Sequence, residues 1–193
     1  IMIQFLRKSI LIIAIVPAFC VTGLAQKALP VSPEVTIGKL ANGLTYYIRK
    51  NQEPANRAEL RLVVNAGSIL ENEAQLGLAH FTEHMAFNGT KNFKKQELVD
   101  FLEKSGVQFG ADLNAYTSFD ETVYELQLPT DSIDVFKKGF QILEDWAHNV
   151  TFEATEIDKE RGVVIEEWRL GQGADERMRK KYFPVILKGS MYA

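Results

Sequence analysis

The spacing of apolar and polar positions changes along the chain, and the changes mark out its elements. Residues 35–40 (VTIGKL) and 44–48 (LTYYI) are two strand-like runs with Asn42-Gly43 between them. Both of those residues tolerate positive φ, so the pair predicts a hairpin. Residues 59–66 (ELRLVVNA) alternate, are rich in branched side chains and predict a third strand, which Gly67 breaks. From there the period lengthens. Residues 76–87 predict a helix with Leu78, Ala79, Met85 and Ala86 as its apolar positions, ended by Asn88-Gly89 in the manner of a left-handed C-cap. Residues 95–105 predict a second helix, with Leu98, Phe101 and Leu102 on one face and Gly106 at its end. Residues 107–117 and 121–128 predict two strands joined at Ser118-Phe119-Asp120, the second stopped by Pro129. Ile133, Phe136, Phe140, Leu143 and Ala147 keep i, i+3, i+4 spacing and predict an amphipathic helix over 133–149. A long charged helix follows from 153 to about 181, with Ile157, Val164, Ile165 and Trp168 as its buried side. Strands come first, and helices and strands then recur without regular βαβ alternation or internal repeat. The expected class is α+β: an antiparallel-rich sheet with helices packed on one face.

The beginning of the chain has none of this periodicity. Arg7 and Lys8 precede an apolar run over 10–21 that only Pro17 interrupts, and Gly23 and Ala25 are small residues placed just before Gln26. This pattern predicts a secretory signal peptide over 1–25, too short and wrongly flanked for a spanning helix. An uncleaved membrane anchor is the alternative. A linker at 26–34 with Pro30 and Pro33 leads into one domain over 35–193. The expected location is therefore outside the cytoplasm, in the periplasm, cell envelope or extracellular space, with no stable membrane span after cleavage. Cys20 is the only cysteine and lies inside the leader, so the mature chain would have no thiol for a disulfide or for catalysis. Phe19 stands just before it, where a lipid-attachment signal needs a small residue. The chain opens with Ile1 before Met2 and closes at Ala193 without a terminating pattern, and it reads as a C-terminally truncated fragment.

Composition adds exclusions. Hydrophobic residues make up 46% and charged residues 24%, which suits a globular protein with a real core. A formal net charge of −3 is too mild to suggest a nucleic acid or an anionic membrane surface as partner.

Candidate chemistry concentrates at Gly77-Leu78-Ala79-His80-Phe81-Thr82-Glu83-His84-Met85. On a helix His80 and His84 are i and i+4, stacked on one face and close enough to grip one ion. Imidazole nitrogen is a preferred zinc ligand. Glu83 stands on the edge of that face, where a carboxylate can take a proton from a metal-bound water without being a ligand itself. The motif is HExxH reversed. Two of the three histidines in the chain fall here; the third, His148, lies at a helix end and reads as a cap or surface residue. A catalytic zinc also needs a third protein ligand. Glu160 and Glu167 are two turns apart on one face of the long helix, and Val164 continues that stripe inward. Two carboxylates on an inward stripe are costly without a counter-ion, which zinc would supply. Spacing leaves open which of the two is the ligand, and leaves a solvated charged face as the plain alternative. Glu166 points about 100° away, toward solvent.

Three segments, GLAHFTEHMAFNGTKNF, FGADLNAYTSFDETVYELQLP and EIDKERGVVIEEWR, together resemble peptidase family M16: pitrilysin, insulin-degrading enzyme and the mitochondrial processing peptidase. The resemblance covers residues 33–193 and keeps the family order of the segments. It implies the LuxS/mitochondrial-processing-peptidase-like metallohydrolase fold and one Zn2+ per catalytic domain. It implies zinc ligation by His80, His84 and Glu167, with Glu83 as general base and Glu160 supporting the site through hydrogen bonding. Leu113-Asn114-Ala115-Tyr116-Thr117 matches a family strand beside the zinc, so Asn114, Ala115, Tyr116 and Thr117 are expected to bind an extended substrate by strand addition. The implied function is endopeptidase cleavage of extended peptides or unfolded polypeptides. The implied partner is a homologous domain, in the same chain or in a second subunit. Asn88-Gly89-Thr90 has the form of a glycosylation acceptor and also fits a helix C-cap, the preferred reading. Two rivals differ in class. A non-catalytic structural or binding subunit of the family would typically lack the histidines or the base. A thioether-cleaving lyase with the same motif would need a catalytic cysteine.

Overall fold

The computed structural model describes residues 30–107, 110 and 112–193. The expected leader with Cys20, the first part of the expected linker, and residues 108, 109 and 111 of the strand expected over 107–117 lie outside the described residues. The chain divides into two compact units, one ending at Asn51 and the other spanning Gln52–Ala193.

In the first unit, β1 (Val35–Lys39) and β2 (Thr45–Arg49) pair antiparallel. The Gly43 N–H donates to Leu40 O at 2.9 Å, and Leu44 N–H donates to Asn42 Oδ1 at 3.1 Å. Gly43 takes φ +94°, which is why the Asn-Gly pair suits this turn.

In the second unit, β3 (Arg57–Val64), β4 (Leu113–Thr117) and β5 (Thr122–Pro129) form an antiparallel sheet in the order β3-β5-β4. Period-two alternation puts Leu60, Leu62, Val64, Leu113, Ala115, Tyr124, Leu126 and Leu128 on the face that joins the core. Helices cover that face: α1 (Leu78–Ala86), α2 (Lys95–Lys104) and α3 (Ile133–His148) supply Ala86, Leu98, Leu102, Ile142 and Trp146. Each fully buried aliphatic side chain among them contributes roughly 1.5–3 kcal/mol. The α+β architecture with helices on one face of an antiparallel sheet is thus the observed one. Gly67, just beyond β3, sits against the β4–β5 turn so closely that a Cβ would lie 2.4 Å from Ser118 O. The approach is used: Ser68 N–H and Ile69 N–H donate to Ser118 O and Phe119 O at 3.1 and 2.9 Å.

The far end of α1 is tied down by polar groups. Trp146 Nε1–H donates to Ala86 O at 3.0 Å, and Asn88 Nδ2–H donates to His84 O at 2.9 Å. Asn88 is a buried C-capping side chain, as preferred over the acceptor reading. Asp145, fully buried on α3, accepts from Thr90 Oγ1 (2.6 Å), Asn92 N (3.0 Å), Asn92 Nδ2 (2.7 Å) and Asn149 Nδ2 (3.0 Å). Burial alone would raise its carboxyl, but these donors outweigh burial and hold it below the usual carboxylate range.

Four expectations need correction. The long charged helix is two helices, α4 (Ala154–Leu170) and α5 (Ala174–Ile186). Between them Gln172 N–H turns back to Arg169 O, and the Gln172 side-chain amide donates to Trp168 O, the carbonyl that a continuing helix would have used. Ile165 and Trp168 are 50% and 61% exposed, so the buried side of α4 is narrower than expected. On α3 the buried face is Gly139, Ile142, Asp145 and Trp146, whereas Ile133 and Phe140 are exposed. It is turned one residue, about 100°, from the most apolar stripe. Finally, β4 begins at Leu113 rather than at Val107.

Candidate metal centre

Helix α1 presents His80, Glu83 and His84, and α4 packs against it. The start of α1 is held by Glu71, whose two carboxylate oxygens accept from Gly77 N–H (2.8 Å) and Ala79 N–H (2.6 Å). A carboxylate at a helix N-terminus meets both unpaired donors and a favourable dipole. Its capping residue, Gly77, makes no side-chain bond of its own. Sequence reasoning missed Glu71; an acid shortly ahead of a glycine-capped helix was the available signal.

The two candidate carboxylates of α4 divide the two nitrogens of one imidazole between them. Glu160 Oε1 lies 2.8 Å from His84 Nδ1, and Glu167 Oε2 lies 3.2 Å from His84 Nε2. The His84 and Glu160 side chains are only 14% and 11% exposed. Glu160 is placed to accept a proton from Nδ1, and in that tautomer Nε2 carries a lone pair. That lone pair faces His80 Nε2 at 3.1 Å, and His80 Nε2 lies 3.6 Å from Glu167 Oε2. Two ring nitrogens and a carboxylate oxygen therefore crowd one point. Three such donors converging from two helices make an arrangement that a cation would satisfy. The donor chemistry and spacing fit zinc: ligands about 2.0–2.1 Å from a tetrahedral ion stand about 3.3 Å apart. His80, His84 and Glu167 are the group among the described residues that could hold a metal ion. His80 and Glu167 are 42% and 50% exposed, so the cluster is open on one side.

Glu83, between the two histidines on α1, is 8% exposed. Its Oε2 accepts from Thr117 Oγ1 at 2.5 Å. Tyr124 lies nearby with its hydroxyl pushed up to about 12, by burial first and then by the Glu83 charge, so the phenol stays neutral. Among the residues expected to bind substrate, Ala115 and Thr117 face the core side of β4, while Asn114 and Tyr116 are exposed on the opposite face. Tyr116 OH donates to Glu121 Oε1 at 3.2 Å. The structure brings Glu83, His80, His84, Glu160, Glu167 and Thr117 together; it leaves the Asn114 and Tyr116 side chains outside that cluster. A groove of about 580 Å³ opens beside His80, bounded by Glu71, Thr117, Phe119 and, from α5, Arg179 and Phe183. No helix among the described residues is long and apolar enough to cross a membrane.

Known proteins resemble this chain in sequence and fold. The family described as Insulinase (Peptidase family M16) matches residues 46–183. The chain is 43% identical over 164 residues to the probable zinc protease PqqL of Haemophilus influenzae, covering 85% of this chain and 18% of that protein. The structure is similar to the first half of the periplasmic protease PqqL from Escherichia coli, with a TM-score of 0.81 and 41% identity, covering 86% of this chain and 35% of that one. It is also similar to the ferredoxin protease FusC in complex with Arabidopsis ferredoxin, with a TM-score of 0.73 and 31% identity, covering 82% of this chain and 17% of that one. The chain spans about a fifth of the length of the curated relatives it matches.

Proposed function

We propose a function from one premise: the chain belongs to the insulinase family, peptidase family M16. Curated relatives it matches are named zinc proteases. On that footing residues 35–193 are read as part of a zinc-binding peptidase domain, after a signal peptide over 1–25 and a linker over 26–34. The protein hydrolyses internal bonds of extended peptides or unfolded polypeptides. The observation that carries this reading is the convergence of His80 Nε2, His84 Nε2 and Glu167 Oε2 within hydrogen-bond and ion-pair distances of one another.

His80, His84 and Glu167 hold the ion, and Glu160 orients His84 through its other nitrogen. Zinc bound there would act as a Lewis acid toward the scissile carbonyl and make water more acidic. Glu83 neighbours the ligands on α1 without joining them. It takes the proton of the attacking water and returns it to the leaving amine. Among the described residues β4 bonds β5 along one edge only. An extended peptide adds along the other edge by main-chain hydrogen bonds, which read extension more than sequence. Asn114, Ala115, Tyr116 and Thr117 thus serve substrate chiefly through their backbone. The parent protein is exported, as the periplasmic relative is, and a homologous domain in the same chain or a second subunit completes the site.

The test uses the full-length parent protein and an unstructured peptide. Cleavage at internal bonds should cease when a chelator strips the metal and return when zinc is restored. Undiminished cleavage by metal-free protein would reject the reading.

A further inference from the structure

The structure assigns Thr117 a role beyond its main chain: its hydroxyl is a positioning residue for the Glu83 carboxylate. This inference rests on the peptidase reading for its kinetic consequence, though not for its geometry. Thr117 Oγ1 donates to Glu83 Oε2 at 2.5 Å, at the short end for an O–H···O contact. Both partners are mostly shielded from water, with Glu83 8% exposed and Thr117 half-buried.

The strand register sets the donor. Thr117 is the last residue of β4 and stands directly opposite Thr122 of β5. Their hydroxyl oxygens are 3.3 Å apart, and Thr122 Oγ1 donates to Ala66 O at 2.9 Å. Each hydroxyl has one proton to give. Thr122 spends its own on Ala66 O, or leans it toward Thr117; in either case the Thr117 proton goes to Glu83. Branching at Cβ keeps both side chains in few rotamers, so the pair forms a stiff post at the end of the sheet. Glu83 Oε2 rests on that post, and Oε1, which makes no hydrogen bond among the described residues, is the oxygen left to meet a reacting proton. The groove beside His80 begins at the same threonine.

The experiment uses zinc-loaded full-length protein carrying Thr117→Val, Thr117→Ser or Thr122→Val, with Glu83→Gln as reference. Thr117→Val keeps the shape and loses the hydroxyl. Its kcat on an unstructured peptide should fall about 10- to 100-fold, with KM and zinc content unchanged. Thr117→Ser should restore kcat to within about threefold, and Thr122→Val should cost less than Thr117→Val. A Thr117→Val enzyme with unaltered kcat, a loss confined to KM or to zinc content, or a serine variant no better than valine would overturn the inference. Crystal structures of wild type and Thr117→Val decide the geometry separately. The Glu83 carboxylate should occupy one position in the first and several in the second; an unmoved carboxylate in the valine variant overturns the inference even if kinetics change. If wild type cleaves no peptide, or Glu83→Gln matches wild type, the peptidase reading fails, while the crystallographic comparison still judges what Thr117 holds.

Discussion

One imidazole organises the candidate site. His84 has Glu160 near Nδ1 and Glu167 near Nε2, a division that supports the proposed reading of Glu167 as ligand and Glu160 as its orienting partner. It also sets expected outcomes. His84→Ala in the parent protein should abolish stoichiometric zinc, as measured by elemental analysis. Glu167→Gln should weaken zinc affinity far more than Glu160→Gln, because one removes a donor and the other only its orienting partner; an outer partner typically accounts for about 10- to 100-fold. A larger loss from position 160 would reverse the assignment. Glu83→Gln should keep zinc and lower turnover by about 10²–10⁴-fold, read from kcat with metal content measured on the same sample. The placing of His80, Glu83 and His84 on one short helix was legible because i, i+3, i+4 spacing is local. Glu71 and the Thr117 hydroxyl were not legible in these roles. Their partners are reached across a loop and from a strand, through contacts that no period in the sequence encodes.

At the level of elements, the sequence told where structure changes better than which way each piece faces. The Asn42-Gly43 hairpin, the start of α3 and the end of α2 follow from turn and period signals. The buried face of α3 was misjudged because burial there is not purely hydrophobic: Gly139 allows close approach to Leu128, and Asp145 is buried on the strength of its donors. The break between α4 and α5 falls at Gly171-Gln172-Gly173, an uncharged pair of glycines between two charged stretches that was passed over as a turn signal. The Gln172 side-chain bond to Trp168 O helps make the corner. The Asp145 cluster joins α3 to the segment that follows α1, so Asp145→Ala should destabilise the protein by about 3 kcal/mol or more in urea unfolding. The pH sign follows from its lowered carboxyl. Its stabilisation is fully present above the unfolded carboxylate value, about pH 4, and is lost as pH falls through the lower native value. The stability gap between wild type and Asp145→Ala should therefore shrink from pH 6 to pH 2.5; a constant gap would assign the loss to packing. Gly67→Ala should also be poorly tolerated, since the new methyl meets the carbonyl oxygens of Ser118 and Phe119.

For the molecule as a whole, the apolar surface stands out. Trp168, Leu170, Met178, Val185 and Ile186 are between 59% and 77% exposed along α4 and α5. Patches of that kind favour association. Expressed by itself, this chain should load zinc, self-associate on size-exclusion chromatography and cleave peptide poorly per bound zinc compared with the full-length protein; equal specific activity would show that the domain needs no companion. The candidate ligands also come from distant parts of the chain, His80 and His84 from α1 and Glu167 from α4. An ion held between α1 and α4 would be a removable cross-link, tying together elements that, among the described residues, share no disulfide. Unfolding must release it, so melting temperature becomes a reading of free zinc: at 100 times the dissociation constant the ion adds about 2.7 kcal/mol. Where neighbouring proteins compete for scarce metal, the lifetime of this one would follow the local zinc supply, and starvation would remove the protein itself along with its metal.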